Sequence, residues 1–99
     1  MDLICRIRSF FTQRGVLEVE VPALSAAAGT DPHLDYFASD FLIDGAVPVV
    51  LGTRYLSTSP EFHLKRLVAA GFGSVYTMCR AFRNGERGER HNPEFTILE

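Results

Sequence analysis

Apolar and polar positions change their period several times along the chain, and each change marks an element. Leu3, Ile4, Ile7, Phe10 and Phe11 recur at helical spacing, with Arg6, Arg8, Thr12 and Gln13 elsewhere. That spacing predicts an amphipathic helix ending near Gly15. Leu17, Val19 and Val21 then alternate with Glu18 and Glu20 as far as Pro22, the pattern of a half-exposed strand stopped by a proline. From Ser25 to Gly52 the pattern weakens to two short strands with turns, and Asp44-Gly45 supplies a hairpin signal between them. Thr58-Ser59-Pro60-Glu61 opens a second helix carrying Leu64, Leu67, Val68 and Gly71. Thr58 and Glu61 have the spacing of a capping box, and Pro60 suits a first helical turn. Last come two apolar-patterned runs between Cys79 and Glu99, joined by a charged loop punctuated by glycines.

The final hairpin carries the most chemistry. Side chains alternate sides along a strand, so Thr77, Cys79, Ala81 and Arg83 share one face, and Phe95, Ile97 and Glu99 share one face of the returning strand. Small residues leave room over that floor. A guanidinium, an aromatic plane and a carboxylate then converge. Arginine can hold a phosphate or carboxylate through two parallel hydrogen bonds, a phenyl ring can stack on a base, and Glu99 can hold an ammonium group. The alternative is a twisted hairpin with solvated arginines, a common surface feature. Patterning alone does not separate the two.

Composition narrows the field. The chain has 99 residues, one domain or part of one, with 46% hydrophobic and 22% charged residues, an ordinary globular balance. A net charge of -2 argues against a general nucleic-acid coat protein. Cys5 and Cys79 form no CxxC pair, so neither a zinc site nor a redox motif is indicated, no metal-ligating residue is nominated, and a reducing cytoplasm fits. No apolar run approaches the length of a membrane span.

Three ordered motifs resemble those of class II aminoacyl-tRNA synthetases. Phe82-Arg83-Asn84, an eight-residue step from Arg83 to His91, and then His91-Asn92-Pro93-Glu94-Phe95 resemble motif 2, particularly that of the lysyl branch. Gly15 to Pro22 resembles motif 1. Thr58-Ser59-Pro60-Glu61-Phe62-His63-Leu64-Lys65-Arg66-Leu67 resembles the start of the amino-acid-binding helix of lysyl enzymes. The Ser59-Pro60-Glu61 wording and the Cys79-Arg80 pair are more similar to the branch that lysylates elongation factor P than to lysyl-tRNA synthetases proper.

The resemblance implies an α+β fold: part of the class II antiparallel sheet with flanking helices, an incomplete catalytic domain over residues 1–99 with motif 1 at about 15–22 and motif 2 at about 80–99. It implies a homodimer built through the motif 1 region. It also implies a ligase that condenses lysine or β-lysine with ATP to an aminoacyl-adenylate, with magnesium as cofactor, and passes the acyl group to a lysine of elongation factor P. A truncated lysyl-tRNA synthetase charging tRNA is the alternative within the family. A non-catalytic RNA- or protein-binding module is the alternative outside it.

Carried over by position, Arg83 is the catalytic residue, bridging the substrate carboxylate and the α-phosphate. Ser59 and Glu61 receive the substrate's α-ammonium, and Glu99 its side-chain ammonium. Phe95 stacks on adenine, while Asn84, Gly85, Glu86, His91 and Asn92 line the nucleotide side. Arg87 and Arg90 meet phosphates or the acceptor, or are simply solvated. One departure stands out. Lysyl enzymes have an adenine-contacting Glu two residues after the motif arginine, where this chain has Gly85 followed by Glu86. A glycine-rich loop allows the local shift by which Glu86 takes over that contact. Motif 3, with its second arginine and the magnesium ligands, is expected beyond Glu99, and the branch that lysylates elongation factor P is expected to lack the anticodon-binding barrel that lysyl-tRNA synthetases carry ahead of the first helix. If the 99 residues act alone, no adenylate formation is expected.

Overall fold

A computed structural model describes residues 2–26, 36–43, 49–84 and 92–99. Its first element, α1, spans Leu3–Gln13. Asp2 caps it, with one carboxylate oxygen accepting from the Cys5 N–H at 2.9 Å. Gly15 ends it at a φ of +71°. There the Gly15 N–H reaches the Thr12 carbonyl and the Val16 N–H reaches the Phe11 carbonyl, the paired closing bonds that favour glycine in the left-handed conformation. The helix therefore stops where its pattern predicts.

Short strands follow. β1 (Leu17–Glu18) and β2 (Leu24–Ser25) precede β3 (Ala38–Ile43) and β4 (Val49–Leu56). Helix α2 (Glu61–Ala69) leads to β5 (Val75–Tyr76), β6 (Met78–Phe82) and β7 (Glu94–Leu98). β3 and β4 are the two strands expected after Ser25, antiparallel with a bulge between Phe41 and Leu42, and β2 adds to the other side of β4. The Asp44-Gly45 turn lies outside the described residues. β1 pairs in parallel with β5, Leu17 opposite Val75 and Glu18 opposite Tyr76. Among the described residues the architecture is α+β, with antiparallel ladders and this one parallel pair.

Two expectations need correction. The strand expected over residues 17–21 is hydrogen-bonded as a strand only at Leu17–Glu18, because β5 offers just two residues before the chain turns into β6. Val19 still donates to the Tyr76 carbonyl at 2.9 Å, so the alignment persists one residue further. The capping box at Thr58 does not form. Pro60 occupies the cap position of α2 without a side-chain hydrogen bond, and the Glu61 carboxylate turns to Lys65 instead.

The buried residues gather where α2 begins and β5 passes into β6. Leu64, Tyr76 and Ala81 are buried there, with Thr58, Pro60 and Thr77. Helix α1 is tied to this centre by Phe11, whose ring stacks on Tyr76 with centroids 4.1 Å apart. Arg8 grips Glu18 through Nε at 2.9 Å and Nη2 at 3.2 Å. The Tyr76 hydroxyl donates to the same carboxylate at 3.3 Å. One carboxylate thus joins α1, β1 and β5, and the guanidinium hydrogen bond holds its pKa below the usual range.

Candidate active site

The β6–β7 hairpin has the register its alternation predicts. Cys79 lies opposite Ile97 and Ala81 opposite Phe95. Reciprocal bonds between Thr77 and Glu99, at 2.9 and 3.1 Å, extend the ladder at one end, and the Arg83 N–H donates to the Pro93 carbonyl at 2.9 Å at the other. Thr77, Cys79, Ala81 and Arg83 therefore share a face with Phe95, Ile97 and Glu99. Burial agrees with the alternation: Ala81 and Thr77 are fully covered, whereas Arg80, Glu94, Thr96 and Leu98 on the opposite face are exposed. Arg80 and Glu94 approach to 3.6 Å on that outer side.

Arg83 and Phe95 meet as the pattern requires. The guanidinium carbon lies 5.2 Å from the Phe95 ring centroid, within cation–π range. Arg83 Nε also donates to the Thr58 carbonyl at 3.3 Å. That bond anchors the Nε edge of the guanidinium beside the segment that enters α2, and a guanidinium is the side chain best matched to a phosphate or carboxylate.

The bond to Thr58 reflects a connection that spacing does not disclose. The Phe82 N–H donates to the Ser57 carbonyl at 2.8 Å, so the segment entering α2 runs along the edge of β6. Ser57–Glu61 is thereby laid beside the hairpin floor. Local bonds shape the segment: the Ser57 hydroxyl donates to the Ser59 carbonyl at 2.6 Å, and Ser59 Oγ accepts from the Glu61 N–H at 3.2 Å. The Glu61 carboxylate, freed from capping, pairs with Lys65 at 2.8 Å one turn on.

Arg83 and Phe95 therefore meet beside Thr58 at one end of the β6–β7 floor, whereas Glu99 pairs with Thr77 at its other end, and Ser59 and Glu61 follow Thr58 into α2. Asn84 and Asn92 are exposed at the open end of the hairpin, whereas Gly85, Glu86, His91, Arg87 and Arg90 lie outside the described residues. Cys79, in mid-floor, has its thiol pKa pushed up by burial and then by the Glu99 charge. No group of three or more His, Cys, Asp or Glu among the described residues offers a ligand set for a metal. The residues that spacing missed are Arg8 and Tyr76, which fix α1 and β1 through Glu18; the polar side of the helix carries both Arg6 and Arg8, and nothing in the pattern singles out Arg8.

Several proteins of known assignment are similar over nearly all of the chain. The elongation factor P–(R)-β-lysine ligase of Haemophilus ducreyi is 56% identical over 97 residues, 98% of this chain and 29% of that protein. The proteins of that name from Erwinia tasmaniensis and Pectobacterium carotovorum are 55% identical over 97 residues and 56% over 98, covering 29% and 30% of their lengths. The chain spans about 30% of the length of the curated relatives it matches. The sequence model of the tRNA synthetases class II (D, K and N) matches residues 1–99. Because that match runs from end to end, the chain belongs to the class II tRNA synthetase family of the D, K and N type.

Proposed function

We propose that this chain supplies the ATP- and amino-acid-facing hairpin of an elongation factor P–(R)-β-lysine ligase. The single observation that carries the reading is Arg83, placed over Phe95 and tied to Thr58 on a floor that ends at Glu99. The relatives' printed name supports the choice of substrate and acceptor.

In the proposed reaction the carboxylate of lysine or β-lysine attacks the α-phosphorus of ATP. A carboxylate–phosphorus bond forms and pyrophosphate leaves. Two anions must approach, and charge builds on the phosphoryl oxygens as they do, so a fixed cation between them is the physical requirement. Arg83 fills that role, held from behind by Thr58 and from below by the Phe95 ring. Phe95 presents a ring face for adenine, and Asn84, Gly85, Glu86, His91 and Asn92 border the nucleotide. Ser59 and Glu61 take the ammonium nearest the reacting carboxylate, and Glu99 the distal one. A desolvated ammonium without a carboxylate is costly, so two such groups select a diamino acid. The amine of an elongation factor P lysine then attacks the acyl carbon, forming an amide and releasing AMP. Magnesium would supply charge neutralisation at the phosphates when bound, and the resemblance puts its ligands beyond Glu99.

Residues 15–22 and 80–99 serve as motifs 1 and 2 of this domain. The exposed Leu3, Ile4, Phe10 and Leu17 on α1 and β1 support a homodimer through motif 1. No helix among the described residues is long and apolar enough to cross a membrane, and a cytoplasmic setting suits the acceptor. Mass spectrometry of elongation factor P incubated with the full-length protein, ATP and either lysine or (R)-β-lysine tests the reading. A mass increase of one acyl group on a lysine is expected. Charging of tRNA with no change to elongation factor P would move the assignment to a lysyl-tRNA synthetase.

A further inference from the structure

Glu61 is already holding an ammonium group, and it belongs to the chain itself. Lys65 Nζ lies 2.8 Å from Glu61 Oε1, an i to i+4 pair on the open face of α2. Both side chains remain more than half exposed, at 68% for Lys65 and 53% for Glu61, so water and solutes reach the pair. Hydrogen bonding to Glu61 raises the Lys65 pKa, and the Glu99 charge adds to that effect, so this ammonium also senses the second carboxylate of the floor. A primary ammonium on a flexible aliphatic stem, held against Glu61, has the same chemistry as the amino acid assigned to that carboxylate.

We propose that Lys65 is an internal competitor for the amino-acid site, a positioning residue whose ammonium occupies the Glu61 carboxylate until a substrate ammonium displaces it. The inference rests on the assignment of Glu61 to the substrate under the proposed function. It gives the empty site a neutralised Glu61 rather than a bare carboxylate, and it makes every binding event an exchange of one ammonium for another. The competition is mild. Exposed helix pairs at this spacing are closed about twice as often as they are open, so removing the competitor tightens binding about threefold. The effect fades with added salt, which screens an exposed pair.

The test is calorimetric titration of the full-length protein with lysine, (R)-β-lysine and ε-aminocaproate, which lacks the amine nearest the carboxylate. Lys65→Met is expected to tighten the diamino acid that binds by about threefold at low salt and to leave ε-aminocaproate unchanged. In a Glu61→Gln background the same substitution is expected to have no effect. Lys65→Gln provides a second variant should the first fold poorly. Equal tightening of all three ligands would reduce Lys65 to a general field effect, and unchanged or weaker diamino acid binding would overturn the competition. Failure of the unsubstituted protein to bind either diamino acid would instead remove the amino-acid reading itself, and the inference with it.

Discussion

Replacing Phe95 with alanine probes both partners of the floor at once. The ring lies opposite Ala81, which is fully buried, and beneath the Arg83 guanidinium at 5.2 Å. Stacking of a base on an aromatic side chain is worth about 1–3 kcal/mol when removed by alanine substitution. At about 1.4 kcal/mol per tenfold, that raises the KM for ATP by roughly five- to 150-fold. Loss of the cation–π contact adds about 0.5–1 kcal/mol of looser Arg83 positioning, which falls on kcat as a two- to fivefold decrease. Amino-acid-dependent ATP–pyrophosphate exchange on the full-length protein separates the two, with ATP varied at saturating amino acid. Phe95→Tyr keeps a ring face and should retain a KM close to the original. An unchanged KM for ATP in Phe95→Ala, with the fold intact by circular dichroism, would refute the stacking assignment.

Three further outcomes concern the scaffold. Gly15→Ala places a side chain at a φ of +71° with open space around it, so the cost is conformational, about 1 kcal/mol by denaturant unfolding. Ala81→Leu overfills a fully covered position on the floor and should cost about 1–3 kcal/mol in the same measurement. Arg8→Ala and Glu18→Gln should each lower Tm, and the double variant should lower it no further than the larger single effect, since both break one bond pair. The Glu18 carboxyl is held below its unfolded value by Arg8, so its contribution is complete above that value, about 4.3, and is lost as pH falls through the folded one. The acid-side decline of Tm should therefore be shallower in Arg8→Ala.

Much of the hairpin was legible because a period of two admits only two faces. Once β6 and β7 pair antiparallel, Ala81 meets Phe95 and Arg83 comes over the ring. Helix α1 was equally readable, since Gly15 supplies a stop that a side chain would resist. The remainder depended on contacts between distant residues. Nothing local in Leu17-Glu18 says that it pairs in parallel with Val75-Tyr76, and the brevity of β5 cuts β1 short. Thr58 and Glu61 carry the spacing of a capping box, but Pro60 at the cap and Lys65 one turn on redirect the carboxylate. The Ser57–Phe82 bond, which brings the amino-acid segment beside Arg83, joins residues with no shared pattern. Only the motif resemblance hinted at that proximity.

The role of Arg83 is the centre of the account, and amino-acid-dependent ATP–pyrophosphate exchange by the full-length protein tests it most directly. Arg83→Ala is predicted to lower kcat by at least a hundredfold, in line with about 3 kcal/mol for one removed charge-stabilising donor, while the thermal unfolding transition stays in place. Exchange that persists at the original rate in that variant would contradict the assignment of the β6–β7 hairpin as the adenylate-forming floor.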